Sequence, residues 1–485
     1  MTDSAEHGRS DDPSPGHGAD HIGPPRDAWP RRVSTLEDLA ENARGDRLEP
    51  GDAGYDEARA VWNARIDREP AAVLRCRGAA DVLAGVNVAR KSDLSLSVKG
   101  GGHHVSGRAI VEDGLVLDCG PMDWVRVDPD AQTAHVGPGA TWGDVDAETQ
   151  AFGLAVPGGQ DPNIGVPGLT LGGGGGWLSP ALGLTPDNLR SVDVVTADGR
   201  MVHASTDRHP DLFWALRGGG GTVGVVTDFE FDLHPVGPEI FAGSLMYPFD
   251  EFATVARYYR EFQADAPAEV SLLFGAMVLP DASVYPDAIQ GSRVAILLGF
   301  YPAPPSTARE VFAPLRDRGD QVFDSLRGRR YRDWQRAGTS QGRMRTDLNS
   351  QYVPEISDAV IDAIFEHSRG APSAGATVFV SPRRGAELDP AVDAMAYPHR
   401  EPAHHVLVEA RWSDPGGDDE HVEWVRAVHE ALEPHTTGEV ATNFLTADET
   451  DARRRGAFGE NYERLRAIEA EWDPENLFHS HVRSD

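Results

Sequence analysis

The sequence predicts an α+β fold in two parts, and three observations carry that prediction. Strand-like and helical runs alternate through the first half, where three glycine-rich clusters punctuate them. The glycine clusters stop near Ile240. Beyond it, strand-like runs are separated by amphipathic helical stretches, the pattern of an antiparallel sheet covered by helices on one side. The chain of 485 residues is also too long for one ordinary domain.

In chain order, residues 1–36 are rich in Asp, Gly, Pro, Ser and His and nearly free of aliphatic side chains, so they are expected to lack order. Residues 55–66 place Ala58, Val61 and Trp62 on one helical face. Residues 71–76 read as a strand, 79–90 as a helix and 94–98 as a second strand, together a βαβ unit. The unit runs into Gly100-Gly101-Gly102-His103-His104-Val105-Ser106-Gly107. Strand-like runs at 114–118 and 132–136 follow, with 124–128 between them, then Gly139-Ala140-Thr141 and a short helix. A second glycine cluster spans 158–176 and a third spans 218–221, ahead of a strand at 222–231. In the second part, strands such as 294–300 and 405–411 alternate with helices such as 306–317 and 359–367. An amphipathic helix over 457–478 closes the chain. The resulting division is 1–36, 37–239, 240–440 and 441–485, the last segment returning to the first domain.

Net charge is −32 and lysine occurs only at positions 91 and 99. Such a surface repels nucleic acid and anionic membrane, so neither is an expected partner. It suits a salt-loaded cytoplasm, where screening makes high charge tolerable, and so points to a halophile. An apolar signal core is missing and so is a segment of about 18 apolar residues, which makes the cytoplasm the expected compartment. Cys76 and Cys119 sit in apolar runs and read as small buried hydrophobes; no zinc-type spacing occurs, so no metal is expected.

Glycine in three clusters, each beside a strand, lets backbone approach a diphosphate and turn several N–H groups towards it without lysine or metal. The Walker spacing is absent, and GxGxxG is found in neither the right place nor a suitable βαβ unit. A dinucleotide binder of another kind is required.

VKGGGHHVSG (98–107), VGPGATWGDV (136–145), VPGLTLGGGGGWLSPALGLTPDNL (166–189), VVTADGR (194–200), DLFWALRGGGG and VGVVTDFEFDLHPV (211–236) resemble the FAD-binding domain of the vanillyl-alcohol oxidase superfamily. With the closing GENYERLRAIEAEWDPENLF, the chain resembles more narrowly the berberine-bridge-enzyme-like oxidoreductases. The resemblance implies a two-part PCMH-type FAD-binding domain plus a substrate domain. It implies an FAD-dependent oxidase or dehydrogenase that takes hydride at flavin N5 from a small alcohol, sugar or secondary-metabolite substrate. Lys99, Gly100, Gly101, Gly102, His103, His104 and Gly107 would form the loop under the diphosphate, with His103 bonded to the flavin 8α-methyl carbon. Gly139, Ala140 and Thr141, then Gly159, Gly168, Leu169, Thr170, Gly172, Gly173, Gly174 and Gly176, would close over the ribityl and diphosphate groups. Gly224, Val225 and Val226 would meet the adenine side, and Asn461 and Tyr462 would edge the isoalloxazine ring.

Three departures from the family pattern matter. Asp161 stands where many members carry the cysteine of a second flavin bond, which leaves a single bond through His103. Ala441, in Ala441-Thr442-Asn443-Phe444, replaces a common tyrosine, so Tyr462 and Tyr397 become the candidate catalytic bases, with Tyr352 and His104 behind them. Thr222-Val223 stands where relatives often show Asn-Phe. A basic stretch at 327–345, read as a solvated helix face, is one source of a cation near such a tyrosine. Ile164 falls where the family gates oxygen and leaves O2 open as the acceptor. Two alternatives stay open: a noncovalent FAD reductase of the same fold, and a catalytically impaired flavin-binding protein. The sequence leaves the oligomeric state open.

Overall fold

The computed structural model describes residues 35–479 apart from 93, 340–341 and 447–448. The expected disordered head therefore lies outside the described residues except for its last two. Of these, Thr35 caps the helix Leu36–Asn42 through a reciprocal bond with Asp38, and Leu36 opens it.

Two large sheets and the two-stranded pair Leu154–Ala155 with His234–Pro235 build the first half. A four-stranded sheet has the order Asp46–Leu48, Ala72–Arg75, Leu115–Asp118, Leu96–Lys99; the last three run parallel, and the helix Ala79–Ser92 links two of them. An antiparallel five-stranded sheet has the order Val125–Asp128, Thr133–Val136, Val225–Asp232, Leu189–Val195, Met201–Ser205. The segment between the two expected runs thus supplies the strand Val125–Asp128, at the edge of this sheet beside Thr133–Val136. Trp142, Phe213, Phe229 and Phe231 fill the core on the five-stranded sheet, and Val440, Leu445, Phe458, Leu465 and Ile468 from the end of the chain complete it.

The second half is an antiparallel eight-stranded sheet. Its main path runs Phe323–Asp324, Glu239–Pro248, Arg293–Tyr301, Ser271–Val278, Ala376–Arg383, Ala403–Trp412, Arg345–Val353, with Arg327–Arg330 beside Glu239–Pro248. Phe252–Asp265, Pro305–Arg316, Asp358–Arg369 and Asp418–Leu432 contribute to the core on one face. The strand Ala403–Trp412 shows the two-residue period directly. Val406, Val408, Ala410 and Trp412 enter that core, whereas His405, Leu407, Glu409 and Arg411 point to the uncovered inner face.

Two helical expectations need correction. The helix starting at Tyr55 ends at Ala58, because long-range bonds claim the backbone that follows. Trp62 N–H donates to Gly102 O at 3.0 Å, and the Asn63 amide bridges Val105 O and Thr346 O at 2.8 and 3.0 Å. The closing helix is two, Asp451–Phe458 and Tyr462–Trp472, separated by Gly459 with φ 47°. The basic stretch 327–345 is not a solvated helix face either. Arg329 lies over Trp334, Arg343 donates to Val61 O, and Arg345 pairs with Asp418.

Candidate functional site

The strand Leu96–Lys99 hands its chain to the 100–107 loop at the carboxyl end of three parallel strands, the end at which such sheets leave room for ligands. A Cβ on Gly101 would fall 2.5 Å from the backbone nitrogen of Gly165, and one on Gly165 would fall 2.4 Å from that of Gly101. The two loops cross backbone to backbone, and no other residue fits at the crossing. Among the described residues, no protein acceptor takes the N–H of Gly100, Gly101, Gly102 or His103. The same holds for Gly168 and Leu169 in the first turn of the adjoining helix Val166–Leu171, and a Cβ on Gly168 would meet nothing within 4 Å. Unpaired backbone donors on two touching glycine loops suit the diphosphate of a dinucleotide, so these residues fit FAD.

His103 ends this donor set. Its ring stacks on Trp62 with centroids 4.5 Å apart and planes 22° from parallel, and the Arg411 guanidinium lies 5.2 Å from the Trp62 centroid. Burial lowers the imidazole to about 4; the nearby Asp161 carboxylate opposes that shift and Arg411 adds to it. The ring is therefore neutral near pH 7. Trp62 escaped the sequence reading because its apolar side chain matched a helical face.

The other expected residues divide by what their atoms already do. Lys99 Nζ donates to Ala58 O at 2.6 Å, so its charge turns away from the nest. His104 Nδ1 meets Ser106 Oγ at 2.8 Å, its ring faces the Thr442 backbone, and burial lowers it to about 4. Gly107, with φ 63°, packs on Ile66. The N–H groups of Gly139, Ala140 and Thr141 are spent on Met122, Gly137 and Asp144, so this segment builds the turn rather than offering donors. Thr170 Oγ1 donates to Val166 O, and Gly176 lies against Gly158 O. Gly172, Gly173 and Gly174 pack against Asn443 and Tyr397, which would collide with any added Cβ. Gly224 abuts Val194, and the Val225 and Val226 side chains are buried in hydrophobic cores, so only backbone there can face a ligand.

Asn461 requires a correction. Its amide donates to Val392 O and Met395 O at 2.7 and 2.9 Å, so it holds the segment leading to Tyr397 instead of presenting itself to a ring. Tyr462 opens the last helix with Arg455 4.3 Å above its ring. Thr222 donates to the buried Glu469, tying that helix to the third glycine cluster.

On the inner sheet face, Tyr352 Oη lies 3.4 Å from Tyr397 Oη, with Arg383 over the Tyr352 ring and Arg400 over the Tyr397 ring. Burial raises the pKa of both tyrosines, so both are neutral phenols near pH 7. Arg383 is bound by Glu439 at 2.8 Å and Arg400 by Asp187 at 2.7 Å. His399 Nε2 reaches Val440 O and Ala457 O, which anchors the loop to the end of the chain.

The two halves also meet at Gln335. Its Nε2 donates to Asp146 Oδ2 at 3.0 Å and to Gly159 O at 3.1 Å. Burial raises Asp146 to about 7, the Gln335 bond and Arg332 only partly opposing it. A carboxyl that holds its proton more tightly when folded stabilises the native state at low pH, and that stability is lost as pH rises from about 4 to 7. Asp146→Asn is expected to flatten this fall, on the order of a few kcal/mol, and to match or exceed the parent at pH 8. Melting scans from pH 5 to 8 check it; parallel curves for the two proteins would contradict it.

Residues 70–205 match the FAD binding domain family, and residues 442–482 match the berberine and berberine like family. The (R)-6-hydroxynicotine oxidase of Paenarthrobacter nicotinovorans is 30% identical over 459 residues, covering 91% of this chain and 97% of that protein. An uncharacterized FAD-linked oxidoreductase of Bacillus subtilis is 28% identical over 88% of this chain and 94% of its own length. Among solved structures, 6-hydroxy-D-nicotine oxidase from Arthrobacter nicotinovorans superposes with a TM-score of 0.81 at 27% identity, covering 91% of this chain and 98% of that one.

Proposed function

We propose, from the premise that this chain belongs to the berberine-bridge-enzyme-like FAD-linked oxidoreductases, that His103 holds the flavin through one covalent bond and that the inner sheet face receives the substrate. The chain is an FAD-dependent enzyme that oxidises a small organic molecule. The chemistry that bound FAD would supply is that of an acceptor for hydride from a substrate C–H bond. The observation that carries the attachment is the place of His103, at the end of the run of unpaired N–H groups with its ring stacked on Trp62. A nitrogen that bonds carbon must be unprotonated, and burial keeps this imidazole neutral at any pH well above about 4.

The chain's own parts then divide the task. The N–H groups of Gly100–His103, Gly168 and Leu169 would hold the diphosphate, and Trp62 fixes the plane of the His103 ring. Asp161, close enough to raise the proton affinity of His103, supports the alignment that puts it at the second anchor. A carboxylate cannot replace a thiol there, so one bond remains. Tyr397 is the candidate proton carrier this reading favours over Tyr462, because its hydroxyl meets another on the substrate side. Molecular oxygen is the favoured acceptor, since the hydroxynicotine-oxidising proteins this chain is similar to are named oxidases. The acidic, lysine-poor composition is read as halophilic and cytoplasmic.

The test is acid precipitation of the purified yellow protein. Flavin is expected to sediment with the polypeptide. FAD released quantitatively into the supernatant would replace this reading with a noncovalent enzyme of the same fold.

A further inference from the structure

The inner face of the strand Ala403–Trp412 carries one polar side chain whose hydrogen-bonding capacity nothing uses. His405 sits between Tyr352 and Ser381, its register partners on the two neighbouring strands. Its ring lies 5.0 Å from that of Tyr352 and 5.2 Å from that of Phe444. Neither ring nitrogen has a hydrogen-bond partner among the described residues, and Nε2 is sealed from solvent. Leaving such a group unpaired is costly, and native proteins seldom do so without a use for it. Burial lowers the imidazole to about 4, with the Arg383 charge adding to the effect. Near pH 7 the ring is neutral, one nitrogen holding the proton and the other an unpaired acceptor.

The charges on the same face are matched. Arg411 pairs with Glu409 at 2.9 Å, and Arg383 with Glu439 at 2.8 Å. An ionic substrate would have to shed water against charges that already have opposite partners, although Arg383 Nη1 and Arg411 Nε keep N–H groups without an acceptor among the described residues. Aromatic rings beside a neutral acceptor suit a different ligand.

Resting on the oxidoreductase reading above, we propose that His405 is a specificity-determining residue that accepts a hydrogen bond from the hydroxyl of an uncharged, hydroxylated ring substrate packed against Tyr352 and Phe444. The hydroxyl donates to the acceptor nitrogen of the ring, and the aromatic rings supply apolar contact. Compounds of the same shape that lack the donor leave the imidazole unpaired and bind less well.

The experiment titrates flavin-loaded protein with 4-methylphenol and with 4-methylanisole, which keeps the ring but cannot donate. Perturbation of the flavin absorbance reports binding. The phenol is expected to bind about tenfold more tightly than the ether, as one extra buried hydrogen bond implies. In His405→Phe, with its flavin spectrum retained, the ratio is expected to fall to about one. His405→Gln, which keeps an acceptor, is expected to retain a preference and guards against a folding defect in the first variant. Equal binding of the two probes by the native protein, failure of the phenol to bind, or an unchanged ratio in His405→Phe would overturn the proposal. Purified protein without FAD would instead defeat the reading on which it rests, and that is visible before any titration.

Discussion

Replacing His103 by alanine is expected to turn a protein that stays yellow through acid precipitation into one that loses all its flavin to the supernatant. The argument is local. His103 is the one imidazole that ends the nest of unpaired N–H groups, and its neighbour His104 is already bonded to Ser106 and directed at Thr442. Neither cysteine can take over, since Cys76 and Cys119 are both buried in the core of the four-stranded sheet. The fold is expected to survive, because the ring contact with Trp62 contributes only about 0.5–1.5 kcal/mol beyond its buried area. The variant should therefore still take up FAD, reversibly, through its backbone donors. Flavin that still sediments with His103→Ala would place the bond on another residue.

The second large effect belongs to a residue without a side chain. Gly101→Ala would put a methyl group 2.5 Å from the nitrogen and 2.6 Å from the Cα of Gly165. Both are backbone atoms in a loop pinned by Trp142 N–H to Ile164 O and Val166 N–H to Ala140 O, so no rotamer change relieves the collision. The loops must part, at a cost of about 1–3 kcal/mol or more, and the donor set loses its shape. FAD is expected to fall below detection in the purified variant, with a melting temperature several degrees lower. Gly168→Ala is the control, since its Cβ meets nothing within 4 Å. It should melt like the parent, because alanine is at least as good as glycine in a helix. A Gly101→Ala protein that holds FAD as the parent does would show that the crossing is not what forms the nest.

How legible the molecule was in its sequence depended on the range of the forces involved. The fold class, the glycine loops and the two-residue period of the 405–411 strand are set by neighbours in the chain, and the sequence displays them. His103 was legible for the same reason, standing at the end of a glycine run. What escaped was decided across the fold. Trp62 carries a helical pattern, yet Gly102 O takes its N–H and draws the ring onto His103. Asn461 and Thr170 looked like ligand contacts because of their neighbours, but their polar atoms are consumed by protein carbonyls. His405 sits in an unremarkable strand. Only the register with Tyr352 and Ser381 shows its nitrogens to be unpaired. Gln335 joins Asp146 to Gly159 through a single amide, a contact between segments that no periodicity can report.

The shared core of the five-stranded sheet also fixes a schedule. Phe229 and Phe231 leave the ribosome early, but Leu465 and Ile468, which pack in the same cluster, leave only after the whole eight-stranded sheet has been made. At roughly 5–20 residues per second, the cofactor half waits many seconds with its apolar surface incomplete. Thr222 and the glycine run beside Asn443 wait with it, for Glu469 and for Asn443 itself. Flavin loading is thus expected to wait for the helix Tyr462–Trp472, and a polypeptide cut short before that helix is expected to build the eight-stranded sheet but not to close the core of the five-stranded one.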